Sequence, residues 1–415
     1  MYQDKRYFIF VIVVYVLFTV IFPLRYYHTN DFKHMYLAAK LVRNGIDPYN
    51  SIEFLYYSRL EGFSSINPFV YPIFNAIFFI PISYFPFEVS KYVWFFLNHI
   101  FIMVGIYFIL KGVRKLKYVY ICVILLFLTF SFPFYRSLTA GQLNAFLFLL
   151  YSLLFYSFVR NKMNLYAFLI AFGGMIKILP FFMGIILLRR KYWKYLLHFF
   201  LYFLLINILC IFTVGWDTYL DYIPILKAMR FGSSTWAKYG ASFHIAPANQ
   251  SFAAFLLRSF TKNKYNLAPI LNIEESYLKI VFYLTEIFSL LVCLIFVIKL
   301  RLKSLSDYIL LFLLVIYTNF FLPTIVWDHY YLITFVGYFL ELLYFVKSSK
   351  KILMIVFLFI ILQFLPYNFW NSNFFCGMKI FFVSFKFYFY FANYVFIIYL
   401  CLQKLSRVNK KKVSL

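Results

Sequence analysis

Long stretches of this chain carry almost no charge, and that restricts its fold more than any other feature. Runs such as Tyr7 to Leu24, Val119 to Phe132 and Ile280 to Ile298 are nearly free of ionisable residues. Inside a bilayer no water can satisfy backbone N–H and C=O groups, so an apolar run of about 20 residues crosses as a helix. Composition points the same way: 64% of residues are hydrophobic, 13% are charged and the mean hydropathy is +0.82, which excludes an ordinary soluble protein. The expected fold class is therefore all-α, a polytopic membrane protein. The first run follows Lys5 and Arg6 and exits through Arg25-Tyr26-Tyr27-His28 without a small-residue cleavage site, so it reads as an uncleaved first span.

The net charge of +26 resembles a nucleic-acid signature until the basic residues are placed. They cluster between apolar runs, at Lys111 to Lys117, Arg160 to Lys162, Arg189 to Lys194, Lys299 to Lys303, Lys347 to Lys351 and Lys404 to Lys412. That is the positive-inside pattern, so the expected partner is a lipid bilayer and no nucleic acid. With these clusters in the cytoplasm, about ten full spans thread consistently. They fall near 7–24, 88–110, 118–135, 143–159, 192–214, 277–298, 307–322, 330–346, 352–365 and 379–402, with both termini inside.

Two apolar stretches must begin and end on one side. Residues 69–86, broken by Pro72, Pro81 and Pro86, are expected to be interfacial or re-entrant. Residues 165–188 are expected to be two short half-helices meeting near Lys177-Ile178-Leu179-Pro180. Irregular backbone at that depth is tolerated only against protein or a cavity. Outside lie a first loop, 25–68, and a large loop, 215–276, with shorter ones at 136–142, 323–329 and 366–378. No internal repeat or appended segment divides the chain, so residues 1–415 read as a single membrane-embedded domain.

Few residues can carry chemistry. The five cysteines are scattered without C-x-x-C spacing, which indicates neither a disulfide framework nor a zinc site. No Asp-x-Asp, Walker loop, Gly-x-Gly-x-x-Gly, Gly-x-Ser-x-Gly or His-rich metal motif is present. Among the 14 acidic residues, Asp31 comes just after the first span and just before Phe32 to Asn44, a stretch closed by Gly45 and expected to form an interfacial amphipathic helix in the first outer loop. It could cap that helix or offer a carboxylate at the lipid–water boundary. Asp47, in Gly45-Ile46-Asp47-Pro48-Tyr49, reads as part of a turn.

Glu286 lies within a span, where an acid either hydrogen-bonds a neighbouring helix or serves function. Arg136 precedes the polar knot Thr139-Ala140-Gly141-Gln142-Leu143-Asn144 and could bind an anion or anchor a span. Lys177, between the half-helices, needs a partner or a water-filled cavity. His329, in Asp328-His329-Tyr330 at an outer tip, could meet a phosphate or an interface.

In order along the chain, several motifs resemble glycosyltransferase family 87 of the GT-C superfamily. They are Asp31-Phe32 through Ala38-Ala39, Gly45-Ile46-Asp47-Pro48-Tyr49, Tyr71-Pro72 with Pro81, Gly141-Gln142-Leu143-Asn144, Lys177-Ile178-Leu179-Pro180 with Leu187-Leu188-Arg189-Arg190, Asn249-Gln250-Ser251 and Trp327-Asp328-His329-Tyr330. The usual Tyr-Pro-Pro departs to Tyr71-Pro72-Ile73.

The resemblance implies a GT-C fold and an inverting transfer of a hexose, typically mannose, from a polyprenyl-phosphate donor to a glycolipid or glycan acceptor. The transfer would occur at the extracytoplasmic face of the cytoplasmic membrane. It implies Asp31 as the base and His329 near the donor phosphate. Donor-phosphate and sugar-binding candidates are then Arg136, Gln142, Asn144, Lys177, Asn249, Gln250, Arg258 and His329. A monophosphate leaving group needs less neutralisation than a diphosphate, so neither a cofactor nor a divalent metal is expected. A lipid-linked sugar flippase, or an O-antigen ligase or polymerase, would share the multispan scaffold. The Asp31 block after the first span favours the transferase.

Overall fold

A computed structural model describes residues 2–114, 118–231, 244–263, 271–345 and 383–413, with the single positions 269, 361 and 365. The expected span 352–365, the Lys347 to Lys351 cluster and the loop 366–378 lie essentially outside these residues. Every regular element among them is helical, and Asn249 and Trp327 form an isolated β-bridge. The chain divides into two compact units. The first comprises Met1–Leu187 and Tyr192–Leu226, the second Leu188–Lys191 and Lys227–Leu415.

In the first unit, helix α1 (Tyr2–Val16) runs through a π-helical turn, Leu17–Ile21, into Phe22–Arg25. There follow α2 (Asn30–Arg43), α3 (Ser51–Leu60), α4 (Ile73–Ser83), α5 (Phe87–Val113), α6 (Tyr118–Thr129), α7 (Phe132–Ala140), α8 (Asn144–Val159) and α9 (Met163–Ile176). A 3₁₀ segment, Leu179–Leu188, and α10 (Trp193–Val214) come next. The second unit contains α11 (Phe252–Phe260), α12 (Glu275–Lys299), α13 (Leu305–Phe321), α14 (Tyr331–Phe345) and α15 (Phe385–Val413).

Among the described residues, five helical stretches are long and apolar enough to cross a membrane: Arg6–Arg25, Phe87–Val113, Arg190–Val214, Glu275–Lys299 and Phe385–Ser406. The spans expected near 143–159 and 307–322 are helices of 16 and 17 residues, and the described part of the one expected near 330–346 is the helix Tyr331–Phe345. At 1.5 Å per residue the first two reach about 24–26 Å, short of the roughly 30 Å hydrocarbon core.

The expected span 118–135 is not one straight helix. It breaks after Thr129, and Tyr120–Thr129 and Phe132–Ala140 meet at 66°. Ser131-Phe132-Pro133 causes the break, because Pro133 donates no N–H and the Ser131 hydroxyl caps a new helix by accepting from Phe134 N at 3.2 Å.

The stretch 165–188 does divide at Lys177. Helix α9 ends there in extended backbone (φ −154°, ψ 130°) before the 3₁₀ segment begins, and Asn75 Nδ2 donates to the freed Ile176 carbonyl at 3.2 Å. Residues 69–86 contain only α4, whose 11 residues span about 16 Å.

The largest departure concerns α2. An amphipathic helix lying at the interface should bury one face, but α2 buries nine of its fourteen residues, from Phe32 to Val42. It packs along α4 inside a core with Trp94, Phe79 and Ile176. The polar positions Lys33, Lys40 and Arg43 are not a lipid-facing stripe. Lys40 pairs with Glu61, and Arg43 Nη1 donates to the Ser83 carbonyl at 2.7 Å while lying over the Tyr84 ring.

Candidate functional site

Asp31 is the second residue of α2, and its carboxylate is not the helix cap. Thr29 holds the cap position in left-handed backbone (φ 53°) with no side-chain capping bond. The half-buried carboxylate accepts instead from two amides: Asn67 Nδ2 at 3.1 Å on Oδ1, and Gln142 Nε2 on Oδ2. Each oxygen keeps a lone pair for a further donor. Two amides on opposite oxygens fix the plane of the carboxylate without neutralising it.

Gln142 reaches Asp31 because of the turn before it. Helix α7 ends at Ala140, Gly141 turns the chain in left-handed backbone (φ 69°), and α8 starts at Asn144. A Cβ on Gly141 would lie 2.6 Å from Phe32 Cβ, so only glycine allows this turn to sit against α2. The Thr139 carbonyl accepts from both His28 N and Thr29 N, at 3.1 and 3.0 Å, and Trp94 Nε1 donates to the Gly141 carbonyl at 3.0 Å. The polar knot therefore holds the start of α2 by main-chain bonds and its first carboxylate by a side chain.

One turn along α2 from Asp31, His34 is buried and stacks on Tyr71, with ring centroids 5.6 Å apart and planes 14° from parallel. Lys177 Nζ lies 5.6 Å from the centre of the same Tyr71 ring and is within electrostatic reach of Asp31. Burial pushes the His34 imidazole down to about 4, against an opposing pull from Asp31. It is a neutral ring at physiological pH. His28, at the mouth of the group, feels Asp31 and Arg136 with opposite signs; burial lowers its pKa below the ordinary value. The first unit thus gathers Asp31, Gln142, Lys177 and Arg136 from four separate elements. Asn144 is buried nearby and donates to Ser137 Oγ at 3.2 Å.

The remaining candidates lie in the second unit. Asn249 donates to the His244 and Thr324 carbonyls, both at 3.2 Å, and accepts from Val326 N at 2.9 Å. Gln250 donates to the Pro247 and Val383 carbonyls, and Ser251 Oγ to Thr324 O at 2.7 Å. These amides tie the chain near 249 to residues 324–328. Arg258 is fully buried on α11. Its Nη1 donates to the Ala246 and Asn249 carbonyls at 2.8 and 2.7 Å, and its Nε and Nη2 share Ser384 Oγ at 3.1 and 2.8 Å. His329 sits in a 3₁₀ turn at Asp328–Tyr330, buried, with its Nδ1 3.5 Å from the Asp328 carboxylate.

No other acidic residue in the stretch 25–68 reproduces the setting of Asp31. Asp47 Oδ1 accepts from Tyr49 N at 2.9 Å in a local turn, and Gly45 takes φ 72° after α2. Among the described residues no group of three or more His, Cys, Asp or Glu side chains is arranged to hold a metal.

The model of glycosyltransferase family 87 matches residues 69–324, well over half of the chain. The chain belongs to glycosyltransferase family 87. It is a multi-pass membrane glycosyltransferase. No curated protein matches it. The family match takes in Gln142, Lys177, Asn249, Gln250 and Arg258 but begins after Asp31 and ends before His329.

Sequence reasoning missed Asn67, His34 and Tyr71. His34 falls three residues after Asp31, hence on the same helical side, and Tyr71 stands in the Tyr-Pro pair already singled out. Asn67 carried no signal, because its value comes from a contact 36 residues away in sequence.

Proposed function

We propose that this glycosyltransferase moves a hexose, mannose foremost, from a polyprenyl-phosphate carrier to a glycolipid or glycan acceptor, with inversion, and that Asp31 is the base. The reading rests on a half-exposed carboxylate oriented by Gln142 and Asn67 beside Lys177, His28 and Arg136. An inverting transfer requires one base on the acceptor hydroxyl and a stabilised leaving group, with no covalent enzyme intermediate. As the C1–O bond to the carrier phosphate breaks, the acceptor oxygen bonds C1 and Asp31 takes its proton. The departing phosphate gains negative charge, for which Lys177 and Arg136 of the first unit are the proposed cationic partners, with no metal required; a role for His329 at the donor phosphate is proposed from the resemblance to the family alone. Asn144 supports the first two, and Asn249, Gln250 and Arg258 support His329 by holding the backbone around residues 246–251 and 324–328.

The proposed topology has about ten spans, with the basic clusters in the cytoplasm and Asp31 outside. Three contacts join groups this topology assigns to the cytoplasmic side: Arg160 with the Lys111 carbonyl, Arg189 with the Val297 and Leu300 carbonyls, and Lys404 with Asp307 at 2.7 Å. Asp31, Asn67 and Gln142, assigned to the outer side, also meet.

Purified protein in bilayers, given radiolabelled polyprenyl-phosphate hexoses and a membrane extract, is expected to incorporate label. Asp31→Asn should abolish incorporation while the protein remains folded. Full activity in that variant would remove Asp31 from the role of base.

A further inference from the structure

Two glutamates stand well inside helices of the second unit, and the fold treats them differently. Glu341, on α14, is fully buried, and Asn393 Nδ2 donates to both of its carboxyl oxygens, at 2.9 and 3.1 Å. Glu286, on α12, is half-buried, and among the described residues no hydrogen bond or ion pair reaches its carboxyl. Thr285 beside it donates its hydroxyl to the Val281 carbonyl at 2.8 Å, and Ser289, one turn on, is buried on the inward side. The nearest basic residue of the helix, Lys279, lies two turns away, about 10 Å along the axis.

Glu286 is the twelfth of the 25 residues of α12, a helix long and apolar enough to cross the membrane. It therefore stands about 17 Å from one end and about 20 Å from the other, at mid-membrane. Phe282, Ser289 and Cys293 turn toward the unit, whereas Ile280, Leu284, Ile287 and Leu291 are exposed. Glu286 lies between these two sides, in a row with Tyr283 and Leu290 at spacings of three and four residues, the spacing along which two helices pack. Hydrocarbon offers a carboxyl in that row neither a donor nor an acceptor.

Two properties of the carboxyl identify its partner. Hydrocarbon favours the neutral form, which carries one O–H donor and one carbonyl acceptor and so complements another carboxyl through a pair of O–H···O bonds. Two copies of one chain also share an orientation in the membrane, and a two-fold axis along the membrane normal sets residue 286 of each at the same depth. We propose that the protein pairs with a second copy of itself along the Tyr283, Glu286 and Leu290 row of α12, with the two Glu286 carboxyls hydrogen-bonded to each other. Interhelical hydrogen bonds of this kind hold membrane helices together where lipid tails leave no hydrophobic drive. The pairing is independent of the reaction assigned to Asp31.

The test follows dimerisation of the full chain in large phosphatidylcholine–phosphatidylglycerol vesicles, by single-molecule photobleaching over a range of protein-to-lipid ratios. Wild type should pass from monomer to dimer as the ratio rises. Glu286→Leu should need a ratio higher by about tenfold, whereas Glu286→Gln, whose amide keeps a donor and an acceptor, should stay near wild type. Glu286→Leu should also unfold at no lower temperature than wild type when both are monomeric; a lower one would place the partner of Glu286 within its own chain and refute the pairing. In cell membranes, Leu290→p-benzoylphenylalanine should photocross-link α12 to α12 of a second copy. Wild type that stays monomeric at every ratio, Glu286→Leu that pairs as readily as wild type, or cross-links from position 290 to a different polypeptide would each overturn the proposal.

Discussion

Replacing Gly141 with alanine tests whether the turn after α7 is what places Gln142 on Asp31. Two costs are expected. Alanine in the left-handed backbone of Gly141 (φ 69°) loses about 1–2 kcal/mol. Its methyl would also stand 2.6 Å from Phe32 Cβ, and Phe32 is fully buried between Trp94, Phe79 and Phe87, so it cannot swing aside. Overpacking of this kind costs about 1–3 kcal/mol more. The total is about 2–5 kcal/mol.

Gly45 provides the control, because it has nearly the same backbone (φ 72°) with nothing within 4 Å of an added Cβ. Gly45→Ala should lose only the backbone component, about 1–2 kcal/mol. The two variants therefore differ by the clash alone. Thermal unfolding in detergent, followed by the disappearance of monodisperse protein, should rank wild type above Gly45→Ala and Gly45→Ala above Gly141→Ala. Transfer activity per folded molecule should fall in Gly141→Ala and be retained in Gly45→Ala, because only the former moves Phe32, the neighbour of Asp31. If Gly141→Ala is no less stable and no less active than Gly45→Ala, the close approach of the turn to α2 is not what orients the carboxylate.

His34 should make stability depend on pH. Its folded pKa of about 4 lies below the 6.5 of a free imidazole, so the unfolded chain binds the proton first. The contribution, about 3 kcal/mol, is whole above pH 6.5 and is lost as pH falls toward 4. His34→Phe, which can keep the stack on Tyr71, should flatten the melting temperature between pH 7 and pH 4.5, and an unchanged acid-side slope would contradict this. Arg258→Lys should destabilise the second unit strongly, because a lysine cannot supply the four hydrogen bonds of the buried fork. Ser384→Ala removes one acceptor, at about 1–3 kcal/mol, and should lower the melting point while sparing activity per folded molecule. A large fall in that specific activity with an unchanged melting point would instead make Arg258 a direct ligand of the donor.

The character of the chain as a helical membrane protein followed from sequence because it depends on local composition: a charge-free run of sufficient length has one way to satisfy its backbone in lipid. The break at Lys177 was legible for the same reason, since Lys-Ile-Leu-Pro interrupts an apolar helix wherever it stands. Asp31 emerged from its position after the first span and from its resemblance to family motifs, and the match over residues 69–324 supports the family independently of Asp31 itself.

Tertiary structure decided what depends on distant partners. The break at Ser131 and Pro133, which divides an expected span into two helices at 66°, is the exception, because its cause is local. Asn67 and Gln142 became ligands of one carboxylate although they lie 36 and 111 residues from it. The helical spacing in 30–43 and 51–60 gave no means of telling which segment is buried. Periodicity records that a helix has an apolar side, whereas what that side meets depends on the other helices, here α4 and α5, which cover α2 and leave the outer face of α3 open.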